Sequence, residues 1–145
     1  MKAVIQRVRE TSLSVDGREV CRIPYGLAVY LGVGVGDEFT AADTIALKIS
    51  KLRIFEDDNG KMNLSIKDVG GEIMLISQFT LYGDCSHGNR PSFINAERPE
   101  RANAVYEYCA EKMRSLGLMV KQGIFGADMK ISQFNDGPVT IIYEV

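Results

Sequence analysis

The chain has 145 residues, 46% of them hydrophobic, and a formal net charge of −2. That is enough apolar material for one core in one domain, 1–145, and no run of ~18 apolar residues is present to span a membrane. The acidic balance argues against a general nucleic-acid coat protein but not against one that touches only a short nucleic-acid end. The opening "MKAVIQRVRE" is charged and alternating, unlike a signal peptide. Cys21, Cys85 and Cys109 are too few and too scattered for a disulfide framework, which points to a reducing, intracellular setting.

"AVIQRV" (3–8) alternates apolar and polar residues, as a half-buried strand does. "LSVDGREV" follows with Asp16-Gly17 between alternating runs, a hairpin signal. "GLAVYLGVGV" is continuously apolar and reads as a strand covered on both faces. Thr40 and Asp43 have capping-box spacing, and Ala41, Ile45, Ile49 and Leu52 then form one helical face, predicting a helix near 40–52. Asp58-Asn59-Gly60 marks a turn, and "EIMLISQF" (72–79) a second buried strand. Residues 83–95 lack any period and read as an ordered loop. Pro99 suits a first helical position. Ala102, Val105, Tyr106, Cys109, Met113 and Leu116 recur at helical spacing, and Gly117 suits the stop. "LMVKQGI", "MKISQFN" and "VTIIYEV" are three further strand candidates. The order is roughly ββββ-α-ββ-α-βββ. It predicts an α+β fold with a mixed, mostly antiparallel sheet and two main helices, not a doubly wound nucleotide fold.

Several stretches invite chemistry. "GVGVGD" lacks the third glycine of a dinucleotide fingerprint: Asp37 or Phe39 stands where it is needed. It reads as a strand end. Asp84, Cys85 and His87 form a compact "DCSH", but His87 is the chain's only histidine. Zinc would need Cys21 and Cys109 to arrive from a strand and a helix face. A Cys85–His87 dyad stays open, since residues two apart on an extended segment can share a side. Any Ser or Thr nucleophile would have to recruit the same histidine. A chain this poor in bases would catalyse by positioning and backbone electrostatics, or borrow a reactive group from its substrate. "SQFTL" (77–81) brings a buried strand into polar side chains and a Gly-rich loop. It reads either as a strand end paired to backbone or as the edge of a site. "NDGPVT" (135–140) reads locally as a turn between two strands, because proline fixes φ and lacks a donor.

Together, "AVIQRV", "LRIFED" (52–57), "GKMNLS" (60–65), "SQFTL", "RPSF" (90–93), "FGADM" (125–129) and "NDGPVT" resemble the D-aminoacyl-tRNA deacylases of the bacterial and eukaryotic type, over essentially the whole chain. The resemblance implies a barrel-like sheet with two packed helices. It also implies a cytoplasmic, homodimeric hydrolase of D-aminoacyl-tRNA with no required metal or cofactor. The site would lie at the dimer interface. Ser77, Gln78, Phe79 and Thr80 would be its catalytic group, and Leu81 would close the SQxxL motif. Gly137 and Pro138 would come from the other subunit, and Phe125 and Met129 would line the adenosine and amino-acid pocket. Backbone amides near Phe79 and Thr80 would hold the carbonyl while the terminal ribose 2′-hydroxyl participates. X-Pro bonds are occasionally cis, and the family's Gly-Pro is; the sequence leaves the isomer open. A fixed wall there would reject L-amino acids by repulsion, tolerate many D side chains and fail to exclude glycine, as in removal of glycine from mischarged tRNA-Ala. Arg7, Arg9, Lys51, Arg53 and Arg90 are candidate phosphate contacts. After Tyr82 the chain reads Gly83-Asp84-Cys85-Ser86-His87, where the family more often has Ala-Asp-Thr and a basic residue. Two alternatives stand beside this reading. One is a sister editing enzyme with trans Gly-Pro that clears a small L-amino acid, although it resembles "PQATL" at 77–81. The other is a non-catalytic tRNA- or peptide-binding module.

Overall fold

The computed structural model describes residues 1–145. The elements are β1 (Lys2–Val15), β2 (Arg18–Ile23), β3 (Gly26–Gly32), α1 (Phe39–Lys51), β4 (Phe55–Glu56), β5 (Met62–Leu64) and β6 (Glu72–Ser77). A 3₁₀ turn over Phe79–Tyr82, α2 (Pro99–Ser115), β7 (Met119–Gln122) and β8 (Lys130–Glu144) complete the chain. β1 pairs antiparallel with β2, β3 and β8, while β3–β6 and β6–β7 are parallel. Two helices thus cover a mostly antiparallel, nearly closed, barrel-like sheet. No helix is long and apolar enough to cross a membrane.

The strand period sorts the core. Leu27, Val29, Ile73 and Leu75 face Ile45 and Ile49 of α1 and Val105, Tyr106, Cys109 and Met113 of α2. The alternate residues Ala28, Met74 and Ile76 face Val8, Leu13 and Ile23 in a smaller cluster. β3 and β6 are therefore buried on both sides, as their continuous apolar runs predict. Each large side chain so buried contributes roughly 1.5–3 kcal/mol. The two central strands also approach closely: a Cβ at Gly26 would stand 1.9 Å from the Glu72 carbonyl oxygen.

Asp16 and Gly17 take positive φ (48° and 75°) and close the first hairpin, a two-residue turn whose twist matches its strands. The capping box at Thr40 does not form. α1 begins one residue earlier, with Glu38 at its N-cap and no side-chain cap, and the Thr40 carbonyl accepts from the Thr44 hydroxyl (2.9 Å). α2 starts at Pro99 and ends into Gly117 (φ 81°), as expected.

The strand count also changes. "AVIQRV" and the first half of "LSVDGREV" are one strand, β1. "MKISQFN" and "VTIIYEV" are one strand, β8, running along β1 on both sides of "NDGP". Val8 pairs with Asn135 and Gln6 with Thr140, so Asp136, Gly137, Pro138 and Val139 stand opposite Arg7 alone. The segment is an outsized bulge inside a continuous strand, not a turn between two. The Gly137–Pro138 bond is cis.

Candidate active site

A cleft of about 650 Å³ opens where the C-terminal end of β6 meets the start of α2 and the 125–131 segment. Ser77 and Gln78 leave β6 into it and Phe79 follows, with Phe125 and Met129 across from them. Leu31, Val33, Ile76 and Ile131 add apolar wall. Phe79 stacks edge-to-face on Phe93 (5.1 Å between centroids), and Phe125 lies 6.0 Å from Tyr106. Five of the residues assigned from the sequence thus meet in one place. Thr80 and Leu81 follow in the 3₁₀ turn and do not line the cleft.

This turn leaves donors free. Gln78 N–H binds the Leu31 carbonyl (2.8 Å), Leu81 N–H the Gln78 carbonyl (3.4 Å) and Gly83 N–H the Thr80 carbonyl (3.0 Å). The N–H groups of Phe79 and Thr80 come before the first of these turn bonds, so they are leading donors that the turn itself does not pair. Unpaired backbone donors beside a cleft can hold a developing oxyanion. The Gln78 side-chain amide donates to the Thr80 hydroxyl oxygen.

No base in the cleft is well placed to activate a nucleophile. The Glu97 carboxyl is held below the usual range because it accepts from the Arg98 and Gly36 N–H groups (2.8 and 3.3 Å). Asp128 is paired with Lys130 (2.9 Å). Burial pushes the Tyr106 phenol up, and its hydroxyl donates to the Leu75 carbonyl (2.8 Å). Cys85 and His87 stay on the exposed 83–95 loop and do not line the cleft. Cys109 is buried in the helix layer, and Cys21 is half-buried with its thiol toward the Gln122 carbonyl (3.4 Å). No three His, Cys, Asp or Glu side chains gather as a metal site would require. Phe93, Glu97, Arg98, Ala102 and Tyr106 also line the cleft. Sequence reasoning gave them no functional role, although Pro99 had marked the start of the helix that carries Ala102 and Tyr106.

Gly137 and Pro138 are exposed and line no part of this chain's cleft. Arg7 lies beneath them. Its side chain is 3% exposed; Nη1 donates to the Ile54 carbonyl (2.8 Å) and Nη2 to Glu56 (3.3 Å). Its Nε lies 3.0 Å from Asp136 Oδ2, an ion pair without hydrogen-bond geometry. Arg9 holds the other Asp136 oxygen (2.9 Å). A Cβ at Gly137, whose φ is 114°, would sit 3.2 Å from Arg7 Nη2. Arg7 is therefore buried scaffolding under the bulge and not the phosphate contact its charge suggests. Arg9 and Arg53 are exposed but engaged, Arg53 with the Asn63 carbonyl (2.8 Å).

A family model described as D-Tyr-tRNA(Tyr) deacylase matches residues 4–144. The chain is 57% identical over 144 residues to a D-aminoacyl-tRNA deacylase of Geotalea daltonii, covering 99% of this chain and 96% of the relative. It is 52% identical to one of Bacillus cytotoxicus, covering 99% of each. Among solved structures, a c-Myc DNA unwinding element binding protein superposes with a TM-score of 0.94 at 40% identity, over 100% of this chain and 99% of that one. A probable eukaryotic D-amino acid tRNA deacylase gives 0.85 at 16% identity, over 99% and 98%, and so shares the fold.

Proposed function

The chain belongs to the D-Tyr-tRNA(Tyr) deacylase family, and on that premise we propose that it hydrolyses the ester joining a D-amino acid to the 3′-terminal adenosine of tRNA, as a homodimer in the cytoplasm. One observation carries the reading. Ser77, Gln78 and Phe79 share a cleft of about 650 Å³ with Phe125 and Met129, while Gly137 and Pro138 stand exposed outside it. If those two residues are to face an aminoacyl group, a second copy must supply them. β8 carries them, and its outer side leaves Phe134 and Ile142 69% and 70% exposed. Exposed apolar side chains beside the bulge suit a second copy as their cover.

In the dimer, the adenosine and amino acid enter between Phe125, Met129 and the Ser77–Phe79 edge. The partner subunit's Gly137-Pro138 segment stands against the amino acid's α-carbon. Swapping D for L exchanges hydrogen and side chain at that carbon, and the L side chain then meets backbone. Rejection works by repulsion, so it is indifferent to the identity of the D side chain and does not reach glycine; glycine on tRNA-Ala is a second substrate.

Chemistry needs little from the protein, because an aminoacyl ester is already activated. The N–H groups of Phe79 and Thr80, the leading donors of the 3₁₀ turn, receive the developing oxyanion. The ribose 2′-hydroxyl of the substrate takes part in place of a protein base. Thr80 fits a nucleophile poorly, since it lies outside the cleft lining and its hydroxyl already accepts from Gln78. Single-turnover hydrolysis of D-Tyr-tRNA by Thr80→Ala tests this: most of the rate should survive, and its complete loss would return Thr80 to the nucleophile's role.

A further inference from the structure

The four residues Asp136–Val139 stand opposite one residue of β1 and so lack regular ladder pairing. Their placement has to come from side chains. Arg7 and Arg9 hold Asp136 at the start of the bulge. A second, neutral set of contacts ties its two flanks together. Tyr30 Oη donates to Gln133 Oε1 (3.0 Å), and Gln133 Nε2 donates to Gln6 Oε1 (2.8 Å). Gln6 Nε2 then donates to Thr140 Oγ1 (3.2 Å), while Gln133 Nε2 also contacts Asn135 Oδ1. Gln133 and Asn135 precede the bulge, Thr140 follows it, and Gln6 neighbours Arg7. Hydroxyls stand at both ends of the relay and amides in its middle, so every link pairs a donor with an acceptor. The direction runs from Tyr30 on β3 to the residue two places beyond Pro138. None of the four side chains lines the cleft.

We propose that Tyr30, Gln133, Gln6 and Thr140 are positioning residues that hold the Gly137-Pro138 segment in place and so set how strictly L-aminoacyl esters are rejected. The proposal rests on the reading of that segment as the chiral wall. A wall that discriminates by repulsion is only as strict as it is stiff. A flank released from Gln6 lets the segment yield to an L side chain, while a D substrate, which does not press on it, reacts as before.

The test compares single-turnover hydrolysis of D-Tyr-tRNA and L-Tyr-tRNA by the full-length protein and by Thr140→Val, Gln6→Met and Tyr30→Phe. Thr140→Val and Tyr30→Phe each delete one link and Gln6→Met deletes two, all with little change of shape. Loss of one net hydrogen bond predicts an L-ester rate raised about fivefold, with the D-ester rate within about twofold of the parent. Thr140→Ser, which keeps the acceptor, should retain the parent's D/L ratio. A merely structural role would lower both rates together and leave the ratio unchanged; that result in folded Thr140→Val and Gln6→Met overturns the proposal. Pro138→Gly, which frees the segment itself, separates the two levels. If it raises L-ester hydrolysis and the three variants do not, the positioning role falls and the wall stands. If it does not raise it either, both fall.

Discussion

Replacing Arg7 with methionine should loosen the seat of the Gly137-Pro138 segment and cost stability at once. The guanidinium is 3% exposed and meets the Ile54 carbonyl at 2.8 Å, Asp136 at 3.0 Å and Glu56 at 3.3 Å. Glu56 is more than half exposed and loses little. The Ile54 carbonyl loses a charged donor, and Asp136, 15% exposed, keeps only Arg9. Breaking a buried pair from one side costs roughly 3–5 kcal/mol. Because Arg9 still neutralises Asp136, the lower end applies, about 3 kcal/mol. At ~2–4 °C per kcal/mol for a chain near this size, Tm should fall by about 10 °C. Thermal melts of Arg7→Met, Asp136→Asn and the double variant form the assay. The cycle should show coupling of roughly 1–3 kcal/mol, as for residues in one network. Coupling near zero, or a Tm within about 2 °C of the parent, would refute Arg7 as the foundation of the bulge.

Two further outcomes follow from the same geometry. Cys85→Ser and His87→Ala, alone or together, should leave D-Tyr-tRNA hydrolysis within about twofold of the parent, since both lie on the exposed loop outside the cleft; a loss of tenfold or more would revive a Cys-His dyad. Asp57 accepts from the Asn59 and Lys61 N–H groups (2.9 and 3.0 Å), which hold its carboxyl below 3.8 in the folded chain. A depressed folded pKa gives stability that is present above the unfolded value and lost as pH falls through the folded one. Asp57→Asn, which resembles the protonated form, should therefore melt below the parent at neutral pH. That gap should close as pH drops below 3.8, and a gap independent of pH would contradict the carboxylate's role.

Periodicity made much of the fold legible. The both-sided burial of β3 and β6, the hairpin at Asp16-Gly17 and the Pro99 and Gly117 limits of α2 all follow from local chemistry. The capping box at Thr40 misled because spacing alone does not say which residue opens the helix, and Phe39 extends α1 by docking edge-to-face on Tyr108 (4.9 Å). Strand count failed where a strand continues through residues that ordinarily end one. What keeps β8 in the sheet on both sides of Pro138 is pairing to β1, a contact distant in sequence. The same blindness hid the true place of Arg7: its charge reads as surface, and only the fold brings Ile54, Glu56 and Asp136 around it. In the cleft, Ser77, Gln78, Phe79, Phe125 and Met129 were legible through the resemblance, on two stretches nearly fifty residues apart. Glu97 and Arg98 carried no signal of their own, because a charge pair before a proline looks like any helix start.

On the proposed reading, a fixed backbone wall excludes L-amino acids without gripping the D side chain. Parallel hydrolysis of D-Tyr-tRNA, L-Tyr-tRNA and Gly-tRNA by the purified protein tests it most directly. The account predicts rapid release of D-tyrosine and glycine with L-Tyr-tRNA left intact; equal hydrolysis of the D and L esters would contradict it.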